Sequence, residues 1–152
     1  MLPKNVLNIL LNRKKWCNDD TISEDGKSFI ISDESKAYFL DEIGIKNRNS
    51  AFISYYTVVA FTPKGNGEEL LTLDKIIEEY DTQEYEGVEA KEMERFLKLS
   101  SVEGEGSYFY DKNSDAIYDV NWGQEPDLAA GTLKPKFDTF YEFLEWYYKG
   151  IK

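Results

Sequence analysis

Residues 96–148, FLKLSSVEGEGSYFYDKNSDAIYDVNWGQEPDLAAGTLKPKFDTFYEFLEWYY, constrain the fold more than any other part of the chain. They read as three strands, a long loop and a closing helix. Phe96, Leu97 and Leu99 open an apolar run that ends at Val102. Gly104-Glu105-Gly106 then breaks it, because glycine takes backbone angles that a side chain forbids. Ser107-Tyr108-Phe109-Tyr110 is aromatic and suits a pleated, half-buried surface. Asp111-Lys112-Asn113-Ser114-Asp115 carries turn chemistry, and Ala116-Ile117-Tyr118-Asp119-Val120 returns with alternating character, which predicts an antiparallel hairpin. Thr139-Phe140-Tyr141-Glu142 has the form of a capping box: the Thr hydroxyl accepts from a free first-turn amide and the Glu reaches back. Phe140, Phe143, Leu144 and Tyr147 follow at helical spacing and are expected to cover one face of the sheet.

Upstream, residues 3–14 predict an amphipathic helix with a stripe of Leu2, Val6, Leu7, Leu10 and Leu11. Residues 27–31 are a candidate strand. Ser32 is placed to cap a helix through Ile43, with Tyr38, Phe39, Leu40 and Ile43 as its buried face and Gly44 as a left-handed stop. Residues 51–61, AFISYYTVVAF, are β-branched or aromatic nearly throughout, which predicts the strongest strand of the chain in a central position. Leu70-Leu71 starts a short segment, Thr72 caps a helix to about residue 80, residues 81–87 form a linker, and residues 88–95 are a short helix or irregular. The expected architecture is α+β: a single domain over residues 1–152, with an antiparallel sheet of about four to six strands covered by N-terminal and C-terminal helices.

Eleven Tyr, nine Phe and three Trp supply a core for a domain of this size without disulfide support. Cys17 is the sole cysteine, which excludes an internal disulfide and suits a reducing compartment. Beside Trp16, it reads as a half-buried structural thiol. The absence of histidine excludes Ser-His and Cys-His nucleophiles and imidazole metal ligands. Residues 111–115 begin like a calcium loop, but Ala116 stands where glycine is needed and Trp122 where the bidentate Glu belongs. Gly104-Glu105-Gly106 lacks the third glycine of a dinucleotide loop. Glu103 and Glu105 are a conceivable hydrolase pair, yet nothing nearby raises one pKa selectively. Trp122, Trp146, Tyr147 and Tyr148 suggest a sugar platform, against which stands the usual place of closing-helix aromatics in the core. No enzyme activity, catalytic residue, metal or cofactor is therefore assigned.

The first fifteen residues are not expected to act as a secretory leader, because Asn8 interrupts the apolar run and Arg13-Lys14-Lys15 follow it. No stretch approaches the length needed to span a bilayer. The expectation is a cytoplasmic protein with no membrane partner.

The chain carries 29 acidic and 18 basic side chains, a formal net charge of −11, which disfavours nucleic-acid backbones and is compatible with a basic partner. Residues 68–105 hold 13 acidic and 4 basic side chains. Within them Glu78, Glu79, Glu84, Glu86, Glu103 and Glu105 would steer a basic protein, and Tyr80 and Tyr85 would anchor it. The plainer alternative is a solvated helix face with Tyr80 tucked into the core.

The order of glycine break, aromatic strand ending in Asp, turn, strand, long loop and capped helix resembles the SUKH superfamily of bacterial immunity and yeast cell-wall-regulator-like proteins. Gly104, Gly106, Tyr108, Tyr110, Asp111, Tyr118, Asp119, Thr139, Phe140, Phe143 and Leu144 carry the resemblance. The step from Leu70-Leu71-Thr72-Leu73 into Ile76-Ile77-Glu78-Glu79-Tyr80 extends it, so that it spans residues 53–148 with gaps. It implies a SUKH-like fold and an immunity protein that binds and neutralises a cognate toxin domain, often a nuclease. The alternative it implies is a regulatory scaffold of the cell-wall-regulator type with no toxin partner.

Overall fold

The computed structural model describes residues 1–101 and 106–152. Val102, Glu103, Gly104 and Glu105, and with them the centre of the predicted glycine break, lie outside the described residues. The helices and strands run in the order α1 (Lys4–Asn12), α2 (Asp33–Ala37), α3 (Ala51–Val58), α4 (Leu73–Thr82), β1 (Phe96–Lys98), β2 (Gly106–Asp111), β3 (Ile117–Asn121), α5 (Glu125–Ala130) and α6 (Phe140–Tyr147). A π-helical turn, Tyr38–Ile43, continues α2, and short 3-10 turns occupy Lys14–Trp16, Asp19–Thr21 and Ala90–Met93. The fold is α+β.

The hairpin forms as its sequence predicts. β2 pairs antiparallel with β3 through Tyr108↔Asp119, Phe109↔Tyr118 and Tyr110↔Ile117, and β1 flanks β2 through Leu97↔Tyr110. Four to six strands were expected, but the sheet has three among the described residues, in the order β1-β2-β3. Further pairing at its margins consists of single bridges, Leu70 with Ser100 and Ile117 with Phe137. The segment predicted as a strand over residues 27–31 likewise contributes one bridge, Phe29 with Ile22, instead of a ladder.

The largest departure is at residues 51–61. They do not form a central strand; Ala51–Val58 is helix α3, and all eight residues are buried. A segment buried on every side has no polar face, so the apolar period that separates helix from strand is missing. The decisive local feature is Ser50, whose hydroxyl accepts from the Phe52 amide and caps the helix. Thr57 resolves its own burial by donating to the Ile53 carbonyl at 2.7 Å. Phe52 stacks on Tyr110 of β2 with ring centroids 4.4 Å apart, and the Tyr55 hydroxyl bonds that of Tyr148.

The predicted helix ends hold. Ser32, Thr72 and Thr139 each accept from a first-turn amide, of Ser35, Lys75 and Glu142 respectively. Gly44 closes the π-helical turn at φ +90°, a left-handed conformation that favours glycine. Tyr38, placed by its sequence on the buried face of that segment, is 43% exposed, whereas Phe39 and Ile43 are buried. The N-terminal helix buries Val6, Ile9 and Leu10. Cys17 is buried, and its thiol donates to the Leu10 carbonyl.

Side chains alternate across the sheet and serve two cores. Leu97, Tyr108, Tyr110 and Ile117 face the larger one, built with α1, α3 and α6. Phe96, Phe109 and Val120 face a smaller one, closed by Met93 and by Leu128 of α5, with Tyr85 and Val88 packed against it.

Candidate functional site

The segments that close the smaller core bring two tight turns together at the surface. In the first, the Val88 amide donates to the Tyr85 carbonyl, and Gly87 has φ +80°. In the second, between β3 and α5, the Gln124 amide donates to the Asn121 carbonyl and the Asn121 amide donates to the Gln124 side chain. Gly123 there has φ +88°, so the chain reverses and Trp122 is carried outward. The turns are neighbours: a β-carbon on Gly87 would lie 3.5 Å from the Pro126 ring.

Between them is a cleft of about 360 Å³ lined by Glu84, Tyr85, Glu86, Trp122, Gly123 and Glu125. This lining holds three carboxylates, two aromatic rings and no basic side chain. Trp122 is 80% exposed, the most exposed of the described aromatic side chains. Tyr85 is half-buried and fixed edge-on against Phe109, with ring centroids 5.9 Å apart. Burial and, after it, the negative charges of Glu125 and Glu79 push the Tyr85 hydroxyl well above its ordinary pKa. The site is thus an acidic cleft with a rigid aromatic wall.

The residues expected to bind a partner separate into three groups. Glu84, Tyr85 and Glu86 line the cleft, and Glu79 acts electrostatically on Tyr85. Glu78 points to Lys75 on the exposed face of α4, 3.4 Å away, and Tyr80 is bound within the fold. The Tyr80 hydroxyl donates to the Glu94 carbonyl at 2.7 Å and accepts from the Lys112 ammonium at 3.0 Å, which also lies 4.5 Å from its ring centre. Lys112 in turn donates to the Ile43 carbonyl, so Tyr80 joins α4, the hairpin turn and the π-helical turn. Glu103 and Glu105 lie outside the described residues.

Three lining residues, Trp122, Gly123 and Glu125, are not among the partner-binding residues that the sequence suggests. The available signal was the Asn-Trp-Gly step after a strand, where an indole sits in turn chemistry and outside any apolar period. The sugar platform does not assemble. Tyr147 and Tyr148 are buried, with Tyr147 stacked on Phe143 at 5.5 Å and Tyr148 donating to the Pro63 carbonyl. Trp146 is covered by Lys136, whose ammonium lies 4.4 Å from its ring centre.

The second cluster of interest is buried. Asp115 accepts from Ser50 and from Tyr110 at 2.6 Å, and from the Phe140 amide at 3.4 Å. It thereby ties the cap of α3, strand β2 and the start of α6 to the hairpin turn. Its partners are all consumed in holding elements together, which makes the cluster structural. Among the described residues no group of three or more His, Cys, Asp or Glu is placed to hold a metal ion, and no helix is long and apolar enough to cross a membrane. Comparison with protein-family models, with curated proteins and with solved structures finds no match for this chain.

Proposed function

We propose that the chain is a non-enzymatic binding protein of the immunity type, which docks its acidic cleft on the basic surface of a cognate bacterial toxin domain and neutralises it. The observation that carries this reading is one cleft lined by Glu84, Glu86 and Glu125 together with an indole that is 80% exposed. Carboxylates with no basic neighbour in the lining steer a basic surface during encounter, and a projecting Trp is the side chain best suited to anchor it. The resemblance of residues 53–148 to the SUKH superfamily supplies the class of partner, a toxin domain such as a nuclease, acting in the cytoplasm where the two would meet. A nuclease presents cationic side chains to nucleic-acid phosphates. An acidic face seated there would block substrate access with no chemistry of its own.

The test is co-expression with the C-terminal domain of the protein encoded just upstream, as the candidate toxin, scoring growth rescue, co-purification and association kinetics. Rescue with a stable complex is expected. Charge reversal of Glu79, Glu84, Glu86 and Glu125 to Lys should slow association about tenfold or more at low salt and flatten its salt dependence. Unchanged kinetics would remove the cleft from the interface. A folded protein that neither rescues nor co-purifies would transfer the reading to a regulatory scaffold of the cell-wall-regulator type.

A further inference from the structure

The cleft has a more specific character than an acidic face. Its one projecting ring, Trp122, stands on a turn fixed by two hydrogen bonds and a left-handed glycine, so the indole is presented by a rigid base. Three glutamates line the same cleft, and the opposite turn approaches closely enough for Gly87 to sit against Pro126. An indole face attracts a cation through its quadrupole, and carboxylates beside it add a Coulombic attraction of their own. A guanidinium suits this arrangement better than an ammonium. It is planar and stacks on the ring, it is more weakly hydrated, and its fork of five donors can reach more than one carboxylate while stacked.

We infer that the cleft seats one arginine side chain of a protein partner, stacked on Trp122 and hydrogen-bonded by Glu84, Glu86 and Glu125. The inference rests on the binding-face reading above and assigns its central subsite. The three carboxylates supply the charge complementarity, and the volume of about 360 Å³ accommodates a single side chain instead of a folded element. Trp122 would then be the anchor of the interface, with Tyr85 as a fixed wall.

The experiment titrates the full chain with the peptide acetyl-Gly-Arg-Gly-amide and with its citrulline analogue, an uncharged near-isostere. It follows the three indole N–H signals and the backbone amides by nuclear magnetic resonance. The expected result is a saturable shift of the Trp122 indole and of the Glu84, Glu86 and Gly123 amides. Citrulline should bind about fivefold more weakly or worse, and binding should be lost in Trp122→Leu and in the Glu84→Gln/Glu86→Gln double variant. Both variants alter exposed side chains, so their amide spectra should report an intact fold. Equal response to citrulline, a larger response at Trp16 or Trp146, or unchanged binding in Trp122→Leu would overturn the arginine seat. So would a self-associated form that dissociates in Trp122→Leu, since a second copy would then be the occupant. If the four-charge reversal slows toxin association while the arginine peptide fails at Trp122, the seat falls and the face stands. If the peptide seats at Trp122 but charge reversal leaves toxin association unchanged, the face falls and the seat stands.

Discussion

Asp115 has φ +71°, an uncommon conformation for a residue with a side chain and one that Asp and Asn tolerate best. The strain is offset because its buried carboxylate meets two hydroxyls and a helix-start amide. Removing it leaves those donors without an acceptor in a desolvated place. Asp115→Ala should therefore cost roughly 3 kcal/mol in urea unfolding, and Asp115→Asn clearly less, since Asn keeps the backbone preference and one acceptor. Asp111, at the other end of the same turn, is also buried. Burial alone would push its carboxyl up, but hydrogen bonds from Arg95, the Asn113 amide and Ser114 outweigh it and hold the group below its ordinary value. A depressed folded-state pKa contributes stability above the unfolded value of about 4 and loses it as pH falls through the folded one. The stability advantage over Asp111→Asn should thus be full at neutral pH and shrink below about pH 4. An advantage that stays constant in acid would mean the ion pair is not its source. The turn was legible in Asp-Lys-Asn-Ser-Asp, but the burial of its two Asp ends was not: Asn113 and Ser114 stay exposed as their type suggests, whereas Asp111 is buried against Arg95 and Asp115 beneath the starts of α3 and α6.

Element ends were readable because capping is chemistry between close neighbours. Ser32, Thr72, Thr139 and Gly44 act within a few residues, and each ends its element where expected. The identity of α3 was not readable. Val, Thr and Tyr favour strands by local preference, and the preference is overridden where surrounding helices and β2 cover the segment on every side. The expected strand count of four to six exceeds the three observed among the described residues for the same reason, since a central strand demands neighbours. The two kinds of feature should differ in mutational cost. Phe52→Ala, which empties a position between Tyr110 and Phe140, should destabilise by about 3–5 kcal/mol. Thr139→Ala, which removes one cap, should cost about 1 kcal/mol. Comparable losses in thermal or urea unfolding would contradict the central place given to α3. The acidic segment shows a similar split. Its charge was visible in the sequence, but the sorting of Tyr80 inward and Trp122 outward depends on Lys112 and on a turn reached only through the fold.

Over the whole molecule, the sheet divides labour between its faces. The larger core carries α1, α3 and α6, while the smaller one supports the turns that frame the cleft. Side chains around the cleft can therefore change with little effect on the main core, as the proposed matching of one partner would require. Asp115 belongs to the other side of this division, and its contacts reach 65 residues back to Ser50 and 25 forward to Phe140. A hairpin closes in microseconds, long before such distant segments are in place. In that early state Asp115 is a hydrated carboxylate in an awkward backbone conformation, and its compensation arrives last. The consequence is kinetic: the three-way junction acts as a latch closed after the folding barrier. Asp115→Ala should leave the refolding limb of a chevron nearly unchanged and accelerate unfolding by on the order of a hundredfold, with most of the lost stability appearing as escape rate.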